Sequence, residues 1–513
     1  MCIITPVTDF PDIDTRLAAW IDAHRPEIIQ AAQGLLRIPS VKGTPAPGAP
    51  FGADTRRALD YALSVAQAQG LTVKHLDGYA AHAEWTAPSV APDAPIVGVL
   101  AHVDVVPTGD GWTSPPFAAD IVDGNIVARG AIDDKGPAIA ALFAIAALRA
   151  CDAPLTHRLR LILGADEESG FGCVKHYFAR EEMPVTGFTP DAEFPLIYAE
   201  KGIANAVLTA PLPPPSLTGK GAGELGSLRR LTGGLRPNMV PDRAEAVLEH
   251  VPAMEAALAR LNAVVGIHAE PVLFPLPRPS LTGKEAEGLG SGNQIHLTAH
   301  GIHVTAHGVS AHGSTPDKGL NAVGILCDAL LLLPNPDTQA ALLTQIRDFA
   351  QGTTGAALGI DGMDDIAGPL TCSLGLAEWD GEEVALTFNI RYPVTWDKDT
   401  LTKRLEAGIA GTEWELTELS DHQPPLYVPQ DDPLTRTLLS VYRDATGDTS
   451  PPQTMGGGTY ARAMARGVAF GAHFPGPALP GPHEKNEAWP VDDLIRAAKI
   501  YASALARLGS GPV

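Results

Sequence analysis

Short apolar runs separated by polar turns dominate the first half of the chain. Ile96–His102 (IVGVLAH) is apolar up to its last residue, with Pro95 before it and a polar stretch from Thr108 after it. It predicts a strand buried on both faces. Leu159–Leu163, beside Arg158 and interrupted by Arg160, predicts another. Between them lie a Gly/Pro/Trp loop (TGDGWTSPPF) and a strand–turn–strand stretch with Asp123–Gly124 at the turn. Gly136–Pro137 then opens a helix running to about Ala150, with Pro at an early helical position. Residues 16–37 and 53–70 carry helical periodicity. Strands alternating with helices imply a mostly parallel sheet covered on both faces.

The middle of the chain changes character. Residues 211–227 and 275–292 are rich in Pro, Gly and Ser, and both contain PSLTGK, at 215–220 and 279–284. The copies mark either equivalent loops of a duplicated unit or low-complexity insertions. Neither has phosphate-loop spacing. Around them, strand-like runs (AEAVLEH, HVTAHG, ALTFNIRY, EWELTEL) alternate with helical runs at 254–264, 320–333 and 397–410, an α+β segment. Helices at 433–445 and 491–507 close the chain.

Composition narrows the class. With 513 residues, 45% of them apolar, the chain can bury a large core; its length suits about three domains, or two with one large. The formal charge of −22 argues against nucleic acid and anionic membrane as partners, since both need a basic face. No run reaches the roughly 18 apolar residues that span a bilayer. The N-terminus (MCIITPVTDFPDIDTR) has no cationic segment of the signal-peptide kind. Five scattered cysteines, with no C-x-x-C pair, read as reduced thiols of a cytoplasmic protein.

Chemistry concentrates after the strand-like segments. His102-Val103-Asp104 follows the first; an imidazole there can bind a cation, and a nearby carboxylate can fix its tautomer. Gly130–Pro137 (GAIDDKGP) puts adjacent carboxylates in a Gly-flanked turn, where they either cap the next helix or bridge cations. Gly164–Gly170 (GADEESG) offers adjacent glutamates pointing in different directions. Pro190–Pro195 (PDAEFP) adds Asp191, and His483 (GPHEKNE) lies before the last helix. Ligands gather at the carboxyl ends of parallel strands. Two histidines and three carboxylates make a donor set suited to Zn²⁺, Mn²⁺ or Co²⁺. His296, His300, His303, His307 and His312 form a tempting ladder, but Gly301 and Gly308 interrupt it and the intervening residues favour strand, in which the histidines would not converge.

The motifs AHVDVVP, GWTSPPF, RGAIDDKGP, GADEESG, PDAEFP, AHGSTP…GLNAV and HEKNE resemble the co-catalytic zinc exopeptidases and deacylases. That family includes acetylornithine deacetylase, succinyl-diaminopimelate desuccinylase and carnosinase-type dipeptidases. PDAEFPLIYAEKG, PNMVPDRAE, FNIRYP and GGGTYAR resemble its peptidase V-type dipeptidases in particular. The resemblance implies an α/β fold with a mixed, largely parallel sheet flanked by helices. A catalytic domain (1–203 and 425–513) would be interrupted by an α+β lid (204–424) built of two ferredoxin-like units. The doubled lid implies a monomer. His102 and Asp191 would hold one metal, Glu168 and His483 the other, and Asp133 would bridge them. Glu167 would be general base, with Asp104 beside it in catalysis. His312 would stabilise the oxyanion, and Arg391, Asn238, Gly456, Gly457 and Gly458 would contact substrate. A cis peptide, with strain, is implied between Asp133 and Asp134. The expected cofactor is two zinc ions, with manganese or cobalt as alternatives. The expected reaction is hydrolysis of dipeptides with a free N-terminus, with N-acyl-amino-acid deacylation as the alternative. A binding protein on an inactive fold would have lost a ligand or the base, and all are present. Phosphoryl transfer would want more basic residues than Lys135 and Lys201.

Overall fold

A computed structural model describes residues 10–211, 227–249, 251, 253–275, 297–334, 337–476 and 479–511. Both PSLTGK copies, His296 and the first nine residues lie outside these. The chain divides into two compact units, Met1–Glu200 with Leu426–Val513, and Lys201–Pro425.

The first unit is built on a nine-stranded mixed sheet. Its order is Thr72–Leu76, Ala80–Trp85, Arg158–Gly164, Ile96–His102, Thr186–Thr189, Gly467–Ala469, Ile197–Glu200 and Leu426–Tyr427, with Gln453–Met455 also on Ile197–Glu200. The four strands from Arg158–Gly164 to Gly467–Ala469 run parallel, while the pairings at both margins are largely antiparallel. Every residue of Ile96–His102 and Arg158–Gly164 is buried, so both faces of the sheet centre are covered; the two buried arginines of the second strand, Arg158 and Arg160, pair with Glu84. The helix Lys135–Ala150 is apolar all round and buried from Lys135 to Leu148, packed on these strands and on Val491–Ser510.

Local chemistry explains the boundaries. The helical stretch expected over 16–37 is two helices, Phe10–Ala23 and Arg25–Leu36. Pro26 lacks the N–H that a continuous helix would need, and it occupies the first turn of the second helix instead. At Asp123–Gly124 both residues have positive φ (50° and 81°), matching a tight hairpin between Asp120–Val122 and Asn125–Val127.

The second unit is an eight-stranded antiparallel sheet. Its order is Ile267–Pro275, Leu297–His307, Arg243–Glu249, Ser227–Gly233, Thr371–Trp379, Glu383–Tyr392, Gly202–Pro211 and Glu415–Gln423. Helices Met254–Asn262, Ala322–Leu330, Asp337–Gln351 and Lys398–Ile409 contribute to its apolar core. His300, His303 and His307 lie on one strand, as the interrupting glycines predict. His303 sits between Glu245 (3.6 Å) and Glu270 (3.5 Å) of the flanking strands.

Phe143 is fully buried in the helix Lys135–Ala150. Phe143→Ala should cost about 3–5 kcal/mol of stability, read as a lower midpoint in thermal or denaturant unfolding.

Candidate metal centre

The parallel strands deliver their chemistry to one edge. His102 is the last residue of Ile96–His102 and registers opposite Gly164, which opens the loop carrying Glu167 and Glu168. Asp191 follows Thr186–Thr189, and Asp133 precedes the helix Lys135–Ala150. His483 has φ +63°, a left-handed conformation that turns its loop before the last helix.

Two ligand-competent groups result among the described residues: His102, Asp133 and Asp191, and Asp133, Glu168 and His483. Asp133 belongs to both. Its Oδ1 lies 3.1 Å from His102 Nε2 and its Oδ2 lies 3.1 Å from His483 Nε2. Asp191 Oδ2 is 3.7 Å from His102 Nε2, and Glu168 Oε2 is 3.1 Å from His483 Nε2. Glu168 Oε1 is buried with no hydrogen-bond partner among the described residues, and His102 Nε2, also buried, faces only carboxylate oxygens of Asp133 and Asp191 among the ion pairs of the described residues. Buried polar atoms of this kind are costly unless something outside the chain engages them. A hard or borderline divalent cation fits this mixed imidazole–carboxylate set.

Other carboxylates hold the loops. Asp104 accepts the backbone N–H of Glu167 (3.1 Å) and of Glu168 (3.2 Å). The Asp104 carbonyl lies 3.0 Å from His102 Nδ1, a contact that orients the ring so that Nε2 faces Asp133. Asp134 Oδ2 accepts the His102 N–H, and the Asp133–Asp134 peptide is cis. Two supports escaped sequence reasoning. Glu487 accepts N–H groups of the loop bearing Asp133, and Glu200 accepts from Thr459 N, Thr459 Oγ1 and Arg462 Nε. Arg462 Nη2 in turn donates to Gly457 O at 2.8 Å and fixes the Gly456–Gly458 turn. Both glutamates sit inside quoted motifs (HEKNE, LIYAEKG), but nothing in their spacing separates a buried support from a surface acid.

Burial and charge set the protonation of these side chains. Burial lowers the His102 pKa, but Asp104, Asp133 and Asp191 together hold it well above the ordinary imidazole value. Burial raises the Asp133 pKa, and the two histidines outweigh that and lower it. Hydrogen bonds donated to Asp133 and Glu168 push His483 up to about 11. Burial, with the charge of Asp133, takes Glu168 up to about 7. Glu167 is held well above the usual carboxylate range, first by burial.

The remaining candidates lie in the second unit and gather there around Asn389. Arg391 Nε donates to Asn389 Oδ1 (2.9 Å), and Asn389 Nδ2 donates to Asn205 Oδ1 (2.8 Å). Gly313 N donates to Asn238 O (2.8 Å), and a Cβ at Gly313 would meet Asn389 Oδ1 at 2.7 Å. His312 precedes this glycine, with its Nδ1 2.7 Å from Ser314 Oγ.

A shared carboxylate between two imidazole–carboxylate groups, at the carboxyl edge of a mixed α/β sheet, is a candidate dinuclear centre. The family profile described as Peptidase family M20/M25/M40 matches residues 98–507, and the chain belongs to this family of dimetal metallopeptidases. It is a hydrolase of peptide bonds. A relative from Bacillus subtilis (strain 168), named "Putative dipeptidase YtjP", is 40% identical over 486 residues, covering 94% of this chain and 97% of the relative. A Staphylococcus aureus (strain USA300) protein with the same kind of name is 35% identical over 490 residues, covering 94% and 97%. Human carnosine dipeptidase 1 is similar in structure, with TM-score 0.51 and 16% identity over 98% of this chain and 99% of that one. So is the Saccharomyces cerevisiae di-peptidase Dug1p, with TM-score 0.53 and 15% identity over the same shares. At these identities the likeness is one of fold.

Cation binding needs neutral imidazoles and ionised carboxylates, whereas raised values at His102, His483 and Glu168 keep protons on the metal-free site near neutrality. Binding should therefore release protons and tighten as pH rises. Titration calorimetry in two buffers of different ionisation enthalpy should give different apparent heats; identical heats would count against this.

Proposed function

We propose that this protein is a dipeptidase, hydrolysing the amide bond of short peptides with a free N-terminus. The observation that carries the reading is Asp133, whose two oxygens each face a different histidine. One cation would be held by His102, Asp133 and Asp191, and a second by Asp133, Glu168 and His483. Zinc suits this set, with manganese or cobalt as alternatives. When bound, such a pair supplies Lewis-acid polarisation and a water of lowered pKa.

The chain's own groups do the rest. Glu167 takes the proton of the attacking water and returns it to the leaving amine. Desolvation, with the charges of Asp191, Glu168 and Asp133, raises its proton affinity, which suits a group that must hold a proton between the two steps. Asp104, through both backbone N–H bonds, keeps Glu167 and Glu168 in fixed register. His312 would donate to the developing oxyanion. The Arg391 fork and Asn238 would bind the substrate carboxylate, and the Gly456–Gly458 backbone its amide groups.

Segment 204–424 would be the lid of a catalytic domain formed by 1–203 and 425–513. The strand orders support reading it as two ferredoxin-like units. In Glu415–Gln423, Gly202–Pro211, Glu383–Tyr392, Thr371–Trp379 the chain order of the strands is 4-1-3-2. In Ile267–Pro275, Leu297–His307, Arg243–Glu249, Ser227–Gly233 the same spatial order appears in circularly permuted form. A doubled lid would let one chain act as a monomer. No described helix is long and apolar enough to cross a membrane, and the reduced-thiol composition supports a cytoplasmic protein.

The names of the relatives favour dipeptides over N-acyl amino acids. An activity screen with added Zn²⁺, Mn²⁺ or Co²⁺ should show cleavage of free dipeptides in preference to N-acetyl and N-succinyl amino acids; the reverse preference would replace this reading with the deacylase one. Glu167→Ala should keep its cations by elemental analysis while kcat falls about 10²–10⁴-fold. Surviving turnover would remove Glu167 from its role.

A further inference from the structure

Glu487 is fully buried, and its carboxylate is saturated with donors from a loop more than 350 residues earlier in the chain. Oε2 accepts from Arg129 Nη1 (2.7 Å) and Gly130 N (3.0 Å). Oε1 accepts from Ile132 N (3.0 Å) and Asp133 N (3.3 Å). Arg129, also buried, reaches back across the gap: Nη1 donates to Glu484 O (3.2 Å) and Nη2 to His483 O (3.3 Å). Ala128 N donates to Glu487 O (3.0 Å), so the two loops are stitched through backbone as well as side chains. Arg129 stacks over the Trp112 ring, 5.4 Å from its centroid.

This ion pair therefore ties the loop of Asp133 to the loop of His483. We infer that Glu487 and Arg129 are positioning residues that set the spacing of Asp133 and His483, and through it the affinity for the second cation more than for the first. The inference rests on the ligand sets proposed above. The second set takes two of its three ligands from the clamped loops. The first takes only Asp133 from them, because His102 and Asp191 follow parallel strands of the sheet. Four donors converge on Glu487, so glutamine is not equivalent: its amide nitrogen would turn a donor toward other donors on one side. Lysine at 129 would keep the charge but lose the fork that spans Glu487, His483 O and Glu484 O.

The test is Mn²⁺ titration of the metal-free full chain, followed by calorimetry and by the spin-coupled resonance signal of a dinuclear centre. Wild type should bind two ions and show the coupled signal. Glu487→Gln should weaken the second ion by about 10–100-fold and the first by less, giving an uncoupled signal at equal Mn²⁺. Arg129→Lys should shift the same way by a smaller factor, which keeps the test open if Glu487→Gln fails to fold. Glu484→Gln, an exposed acid of the same loop, should match wild type. Two folded variants with unchanged second-ion affinity, or with both ions weakened equally, would overturn the positioning role while leaving the ligand reading intact. A wild type that binds a single ion would instead overturn the ligand reading, and this inference with it.

Discussion

One carboxylate facing two imidazoles is the constraint around which the first unit is arranged. Asp133 is buried, and a lone carboxylate there would be expelled or neutralised. It stays ionised because His102 and His483 face its two oxygens from opposite loops. Each histidine then needs a second acid, and Asp191 and Glu168 answer that need. The result is a concentrated cluster of imidazoles and carboxylates in which Glu168 Oε1 is left without a hydrogen-bond partner among the described residues.

The sheet makes this arrangement affordable in packing terms. Parallel strands at the centre bring His102, the loop after Gly164 and the loop after Thr189 to the same edge. The helix Lys135–Ala150, apolar from Gly136 to Leu148, holds the end of the fourth loop, with Lys135 Nζ donating to Ile38 O (2.6 Å). The antiparallel strands Thr72–Leu76 and Ala80–Trp85 widen the sheet without carrying any ligand.

Much of this was legible in the sequence, for physical reasons that differ by element. The buried strands and the helices flanking them announce themselves through unbroken apolar runs and a proline near a helix start. The candidate ligands stood out because His102 ends an apolar strand and Asp133, Glu168, Asp191 and His483 sit in Gly- or Pro-bounded loops. The helix Asp337–Gln351 and the strands Gly202–Pro211 and Thr371–Trp379 were not legible. Their apolar positions are matched to partners far away in the chain, and only tertiary pairing selects strand from helix there. Glu487, Arg129 and Glu200 were invisible for the same reason. A buried acid and a surface acid look alike until the donors around them are known.

Hydrogen-bond saturation separates ligands from supports more cleanly than residue type does. Glu487 receives four donors, and Glu200 receives a backbone N–H, a hydroxyl and a guanidinium N–H. Asp104 accepts two backbone N–H groups. These acids spend their oxygens on donors of the fold, and so they shape loops. Glu168 is the opposite case: one oxygen faces His483 and the other has no partner among the described residues. Its own N–H is taken by Asp104, so the loop is held while the carboxylate stays available. Rigidity of the loop and availability of the side chain are thus supplied by different residues: Asp104 fixes the backbone, and Glu168 Oε1 stays uncommitted.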